Sequence, residues 1–389
     1  MQAVQKEHRF PWRQGNRFRL LVDGDHYFPA MLAAIDGAQR YVLLLMYLCS
    51  SGKVTDQFIE ALTAAAGRGV RVQLLLDDFG SLALRRPDRQ RLLDGQVELV
   101  FCNPLRVGRW SRNLLRDHRK LLVVDGKVGF TGGAGLTDEF DPVATPELYW
   151  HDLMLEIRGP CVGDWQSLFR ESWEKWSGRP LTMLELPPPP FEGGHPGRVA
   201  VQGATFDRAD IVRSLIRRIR RARQQVWLAT PYFLPSWKLR RNLRRQVQAG
   251  TEVRLLLPGP LTDNQPVRAL GGRYYEKLLR DGIRIFEYQP RFLHAKIHLC
   301  DHWASIGSTN LDRWSYRWNL DANQELEDPA VIGELQRLFE HDFAVSRELR
   351  YDDWLKRSWP ERLTERFWGL VLEGTVWVSE RRPGRRGRS

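Results

Sequence analysis

Along this chain, short runs in which every position is apolar alternate with longer segments whose apolar residues recur every three or four positions. The run Tyr41 to Leu48 predicts a strand buried on both faces, because it spares neither face for water. Thr55 to Ala66 follows with helical spacing, and Val70 to Leu76, apolar except at Arg71 and Gln73, reads as a second strand. The same order returns later as strand Val226 to Leu234, helix Ser236 to Ala249 and strand Val253 to Leu257. Ala66-Gly67 and Ala249-Gly250 end the two helices alike, as a left-handed C-cap requires. Asp94-Gly95 and Asp281-Gly282 open matching strands, Gln96 to Phe101 and Ile283 to Tyr288. The pattern predicts an internally duplicated α/β chain, each half a sheet covered by helices on both faces.

Between the halves, Arg179 to Arg198 carries Pro180, the run Pro187 to Pro190, Pro196 and three glycines, a composition that breaks regular structure. It is read as a linker, giving a first unit at 15–178, a second at 199–350 and an extension at 351–389. A length of 389 residues with 42% hydrophobic content suits two core-bearing units and excludes wholesale disorder.

A formal charge of +12 favours an anionic partner, for which membrane surface and nucleic acid both qualify. Cys49, Cys102, Cys161 and Cys300 lie far apart, so the sequence suggests neither a disulfide framework nor a zinc site and fits a reducing cytosol. The longest apolar run, Tyr41 to Cys49, is less than half of the roughly 20 residues a spanning helix needs, so any membrane contact is expected to be peripheral.

The chemistry concentrates in a repeated motif. His118-Arg119-Lys120 is followed by Asp125 and Gly132-Gly133, and His294-Ala295-Lys296 by Asp301 and Gly307-Ser308-Thr309-Asn310. In extended backbone, His-x-Lys presents an imidazole and an ammonium on one side. With only nine His and nine Lys in the chain, two such matches by chance are expected in roughly one sequence in thousands.

These residues resemble the paired motifs of the phospholipase D superfamily. Within it the chain is similar to bacterial cardiolipin synthases, closest to the shorter soluble type called cardiolipin synthase B. The likeness covers most of residues 15 to 345, including Ala66 to Asp77, Arg116 to Lys120, Gly307 to Asp312 and Asn319 to Asn323. It implies two duplicated phospholipase D-like domains packed about a pseudo-twofold axis, with both motifs in one pocket. It implies a phosphatidyltransferase that moves a phosphatidyl group from phosphatidylglycerol to a hydroxyl of a second lipid, with no metal and no cofactor. His118 would be the nucleophile and His294 the acid/base, an order that a near-symmetric site leaves exchangeable. Lys120 and Lys296, helped by Ser308 and Asn310, would hold the phosphate oxygens. Asp152 and Asp321 lie where relatives place the carboxylates that bond imidazole Nδ1. Asp125 and Asp301 complete the motif and are counted with the catalytic set, a structural role being the alternative.

The partners implied are anionic phospholipid and the cytoplasmic face of the bacterial inner membrane, with no nucleic acid. A phospholipase and a nuclease are the rival enzymes. Gly135 stands where the second motif has Asn310, and the strand Leu43 to Leu48 lacks a carboxylate many relatives carry. His298 and His302 are assigned to a strand face or turn rather than to a metal, and His26 and His195 receive no role. From Tyr351, Trp354, Trp359, Phe367, Trp368, Trp377 and an Arg-rich tail are read as core packing plus a disordered tail, with a membrane anchor as the alternative.

Overall fold

The structure is a computed structural model that describes residues 9–105, 113–182, 184–203 and 209–357. The duplication is present strand for strand. In the first half the sheet order is β1 (Arg13–Val22), β8 (Leu153–Arg158), β7 (Val128–Gly132), β6 (Leu121–Val124), β2 (Tyr41–Met46), β3 (Arg71–Asp77), β4 (Glu98–Cys102). The second half repeats it as β9 (His195–Gln202), β17 (Asn319–Leu326), β15 (Trp303–Gly307), β14 (Ile297–Cys300), β10 (Gln225–Ala229), β12 (Glu252–Pro258), β13 (Arg284–Tyr288), and adds β18 (Ser346–Leu349) at its edge.

Alternating side chains of each all-apolar strand feed two different cores. Tyr41, Leu43 and Leu45 join a central cluster, whereas Val42, Leu44 and Met46 face the outer helices α1 (Gly24–Asp36), α2 (Lys53–Gly67) and α3 (Arg86–Asp94). The central cluster also holds Trp165, Phe169 and Trp173 of α4 (Cys161–Ser177), Trp227 of β10, and Leu335 and Phe339 of α9 (Pro329–Ala344). Helices α4 and α9 thus lie between the two sheets, each contacting a strand of the other half. The second outer layer is α5 (Asp210–Arg221), α6 (Trp237–Gln248) and α7 (Gln265–Arg280), packed on Val226, Leu228 and Leu255.

Three local expectations need correction. Gly67 is the last residue of α2, and the left-handed residue is Gly69 at φ +86°, whereas Gly250 is left-handed as expected at φ +87°. Before β4 the left-handed position is Gln96, φ 60°, matching Gly282, φ 85°, so Gly95 and Gly282 are not equivalent. The last part of the presumed linker is strand: β9 pairs with β17 and, through His195 and Gly197, with β1, so the two sheets are joined edge to edge. Pro196 falls at the irregular register with β1, where a missing N–H is tolerated. Trp354, in the short helix α10 (Tyr351–Leu355), is buried with its ring 5.1 Å from Tyr275. Trp359, Phe367, Trp368, Trp377 and the Arg-rich tail lie outside the described residues.

Candidate active site

Both motifs enter the site in extended backbone just ahead of a strand, β6 in one half and β14 in the other. Each entry is held by a segment of the opposite half. Arg116–Asp117, the short strand β5, pairs in parallel with Asn319 and Leu320 of β17, and His118 N donates to Leu320 O at 2.9 Å. Leu293 bridges to His151, and His294 N donates to His151 O at 2.8 Å. The residue after each docking point is an aspartate. His118 Nδ1 therefore meets Asp321 Oδ1 at 2.9 Å, and His294 Nδ1 meets Asp152 Oδ2 at 2.6 Å. Each imidazole is oriented by a carboxylate from the other half.

The lysines stay with their own histidines. Lys120 Nζ donates to His118 O at 2.8 Å and lies 5.3 Å from the centre of the Tyr47 ring. Lys296 Nζ is 2.8 Å from His294 Nδ1 and 3.1 Å from Nε2, with Asp152 Oδ2 at 3.9 Å. All four side chains are buried.

Burial is the largest influence on their titration. With the neighbouring amines it pulls His118 down to about 4 and His294 to about 3, although Asp321 and Asp152 oppose it. Burial lowers Lys120 to about 7, with Lys296 adding to the effect, and lowers Lys296 to about 8. Lys120 acts on His294 and Lys296 on His118, so the two motifs share one electrostatic environment. Burial would raise Asp152, but Lys296 and His294 outweigh it and hold the carboxylate below its usual range. Without a bound anion, both imidazoles are neutral near pH 7, Lys120 is close to half-protonated and Lys296 is mostly protonated.

The half-sites differ in their surroundings. Asp321 Oδ1 also accepts from Ser308 Oγ at 2.7 Å. The counterpart of Ser308 is Gly133, against which Asp152 packs so closely that a Cβ there would lie 2.3 Å from its Oδ2. His294 sits among Phe140, Trp150 and Phe292, with ring centroids 5.2, 5.2 and 5.7 Å away. Among the described residues, His118 has one such neighbour, Tyr47, at 4.7 Å.

The structure corrects part of the expected set. The sequence assigns Ser308 to the substrate phosphate, but its hydroxyl proton goes to Asp321. Asn310 is buried with its side-chain oxygen unpartnered among the described residues. Asp125 and Asp301 sit at the far ends of β6 and β14, in left-handed turns at φ 51° and 48°. Asp125 accepts from the backbone N–H groups of Gln39, Arg40 and Tyr41, and Asp301 from those of Arg223, Gln224 and Gln225. Both carboxylates brace strand entries rather than chemistry. His298 is buried without a partner among the described residues, and burial lowers it to about 4, while His302 is exposed in the turn after Asp301. No three His, Cys, Asp or Glu side chains among the described residues group as metal ligands.

Sequence reasoning gave no role to Tyr47, Phe140 or Phe292. Phe292 lies two positions before His294, a spacing that could have flagged it, whereas Phe140 has no local signature. It also missed His151, whose Nδ1 meets Asp23 at 2.8 Å and whose Nε2 meets Asp342 at 3.1 Å.

Residues 31–140 and 215–343, the segments carrying the two motifs, match the family described as "Cardiolipin synthase, PLD-like domain". The chain is 34% identical to cardiolipin synthase A of Pseudomonas aeruginosa (strain LESB58), over 91% of this chain and 72% of that protein. It is 30% identical to cardiolipin synthase 1 of Bacillus anthracis, over 95% of this chain and 75% of that protein. Among solved structures, phosphatidylserine synthase of Haemophilus influenzae shares the fold, with a TM-score of 0.70 at 12% identity over 96% of this chain and 98% of that one. The matched segments and the extent of these likenesses place the chain in the cardiolipin synthase family of phospholipase D-like proteins.

Proposed function

We propose that this protein is a phosphatidyltransferase that takes a phosphatidyl group from phosphatidylglycerol and passes it to a hydroxyl of a second lipid, giving cardiolipin. The observation that carries the reading is the pair of imidazoles, each bonded at Nδ1 by an aspartate of the other half. A carboxylate at Nδ1 fixes the proton there and leaves Nε2 with its lone pair.

In the first half-reaction, His118 Nε2 attacks phosphorus and a P–N bond forms as the P–O bond to the glycerol headgroup breaks. His294, protonated once the anionic phosphodiester is bound, gives its proton to the departing alkoxide. In the second, His294 takes the proton of the acceptor hydroxyl, the new oxygen attacks phosphorus, and the P–N bond breaks. Lys120, Lys296 and the Asn310 amide meet the non-bridging oxygens, whose charge is matched in both transition states. The active site works at the surface of a membrane, which the protein joins peripherally on its cytoplasmic face. No helix among the described residues is long and apolar enough to cross a bilayer.

The test is incubation of the purified protein with labelled phosphatidylglycerol in mixed micelles, with His118→Ala as control. Cardiolipin formed by the wild type and absent with the variant is the expected result. Phosphatidic acid alone would replace transfer by hydrolysis, and no lipid product at all would refute the reading.

A further inference from the structure

We infer that the protein docks on an anionic phospholipid bilayer through a rim of exposed apolar side chains on the loops at the catalytic end of its sheets, an inference that rests on the lipid reading above. The sheet topology defines which loops form the rim. Leu121, the first residue of β6, pairs with Leu45 near the end of β2, and Ile297 of β14 pairs with Ala229 at the end of β10. The motif histidines therefore lie at the carboxyl ends of the parallel strands, and the turns with Asp125 and Asp301 mark the opposite end.

Large apolar side chains crowd the catalytic end. Phe79 (49% exposed) and Leu82 (59%) lie on the loop after β3, and Val143 (76%) and Leu148 (67%) on the connection between β7 and β8. In the second half Trp237 (58%) opens α6 and Trp314 (39%) stands in the short helix α8 (Arg313–Trp318), two residues after Asp312. These loops adjoin the chemistry. The Arg116 guanidinium, two residues before His118, lies 5.7 Å from the Phe79 ring centre, and Leu148 is two residues from Trp150, which packs on His294.

Side chains of this size are normally withdrawn from water, and clusters of them exposed around a pocket mark a contact surface. An anionic bilayer fits the cations beside Leu82 and Trp237, which outnumber the exposed Glu139 and Glu147 on the loop of Val143 and Leu148. Arg241 lies 5.0 Å from the Trp237 ring centre, Lys238 is exposed next to it, and Arg85 and Arg86 flank the loop that carries Leu82. Aromatic rings at the headgroup level with Lys or Arg reaching the phosphates are the usual interfacial pairing. Docking in this orientation sets the pocket mouth against the surface, so a lipid headgroup reaches the histidines while its acyl chains stay in the bilayer.

Two exposed leucines provide an internal control. Leu93 (51%) ends α3 ahead of β4, and Leu186 (87%) follows Glu185, whose backbone bonds Tyr41 at the start of β2; both lie at the non-catalytic end. The experiment compares Leu82→Ser, Val143→Ser and Trp237→Ser, singly and combined, with Leu93→Ser and Leu186→Ser. It measures sedimentation with phosphatidylglycerol vesicles and with phosphatidylcholine vesicles. Turnover of short-chain phosphatidylglycerol below its micellar concentration reports the active site apart from docking.

Each rim substitution is expected to weaken binding to anionic vesicles about tenfold, the effect of withdrawing a half-exposed apolar side chain from the interface. The controls bind as wild type, neutral vesicles bind less, and every variant turns over the monomeric lipid normally. Wild-type binding by the combined rim variant, equal losses in the controls, or equal binding to neutral vesicles would each overturn the inference. Absence of wild-type turnover on any phosphatidylglycerol would instead remove the functional reading, whatever the vesicles show.

Discussion

Replacing His151 by Gln should cost stability in a pH-dependent way. The imidazole is buried between Asp23 of the first half and Asp342 of the second, and Arg291 Nη2 closes the group at 2.6 Å from Asp23. Tyr288 stacks on it at 5.2 Å, and Tyr149 covers Arg291. Burial by itself pulls the imidazole down, but the hydrogen bonds to Asp23 and Asp342 outweigh it and lift His151 to about 9. Measured from an unfolded value of about 6.5, that rise corresponds to about 3 kcal/mol. Because the folded value is the higher one, this stabilisation is complete below pH 6.5, declines as pH rises toward 9, and is gone above it.

Lys120 and Lys296 work in the opposite sense. Their folded values of about 7 and 8 lie below the unfolded one, so their penalty is full below pH 7 and fades by about pH 10.5. Wild-type stability alone would mix the two trends, whereas the wild-type minus His151→Gln difference cancels the lysines. Urea unfolding at pH 6, 8 and 10 should give a difference of about 3 kcal/mol at pH 6 that shrinks by most of its value at pH 10. A difference that stays constant across this range would refute the doubly bonded imidazolium.

Asp321→Asn and Asp152→Asn remove the carboxylate that sets each tautomer, and kcat should fall by about 10²- to 10⁴-fold with little change in KM; unaltered kcat in both would end the orienting role. Asp125→Asn and Asp301→Asn keep a residue that tolerates the left-handed turn but weaken three backbone bonds, so each should lose about 1–3 kcal/mol with kcat unchanged. A large drop in kcat at wild-type stability would return these aspartates to the chemistry. Binding of inorganic phosphate at pH 7.5 should take up protons, because a nearby anion raises lysines held at about 7 and 8 and imidazoles held at about 4 and 3. Calorimetry in buffers of different ionisation enthalpy reads that uptake, and zero uptake would contradict it.

The duplicated fold was legible because its central strands are short and largely apolar, interrupted only at positions such as Gln73 and Arg254, and recur in the same order in both halves. Motif spacing likewise exposed the histidines and lysines. The backbone details failed where one residue of phase decides them, since Gly67 and Gly69 both flank Arg68 and only one takes the left-handed position. Asp152 and Asp321 came from resemblance, and their cross-half partners were beyond any local pattern. His118 and Asp321 are 203 positions apart, and their contact depends on the register of β5 against β17. Ser308 was misassigned for a related reason: a hydroxyl two residues from Asn310 looks like a phosphate ligand until Asp321 is folded against it.

That crossing has a consequence for how the site is built. A half folded by itself would carry a histidine and a lysine but not the carboxylate that sets the tautomer of that histidine. Competence therefore arises only when β5 docks on β17 and Leu293 on His151, and the pairing that joins the halves also orients the reacting groups. The crossing also lets the two imidazoles diverge without losing their shared geometry. Asp321 gained a hydroxyl brace from Ser308, while Asp152 packs on a glycine and its histidine lies in an aromatic enclosure. The carboxylate behind His118 is thus held by a second group, which suits a histidine that must bond phosphorus in a fixed direction. An imidazole enclosed by rings suits one that must give up and regain a proton in a space where water is scarce. Under the proposed transfer, this asymmetry would place attack on phosphorus at His118 and proton transfer at His294, the order that the sequence leaves exchangeable.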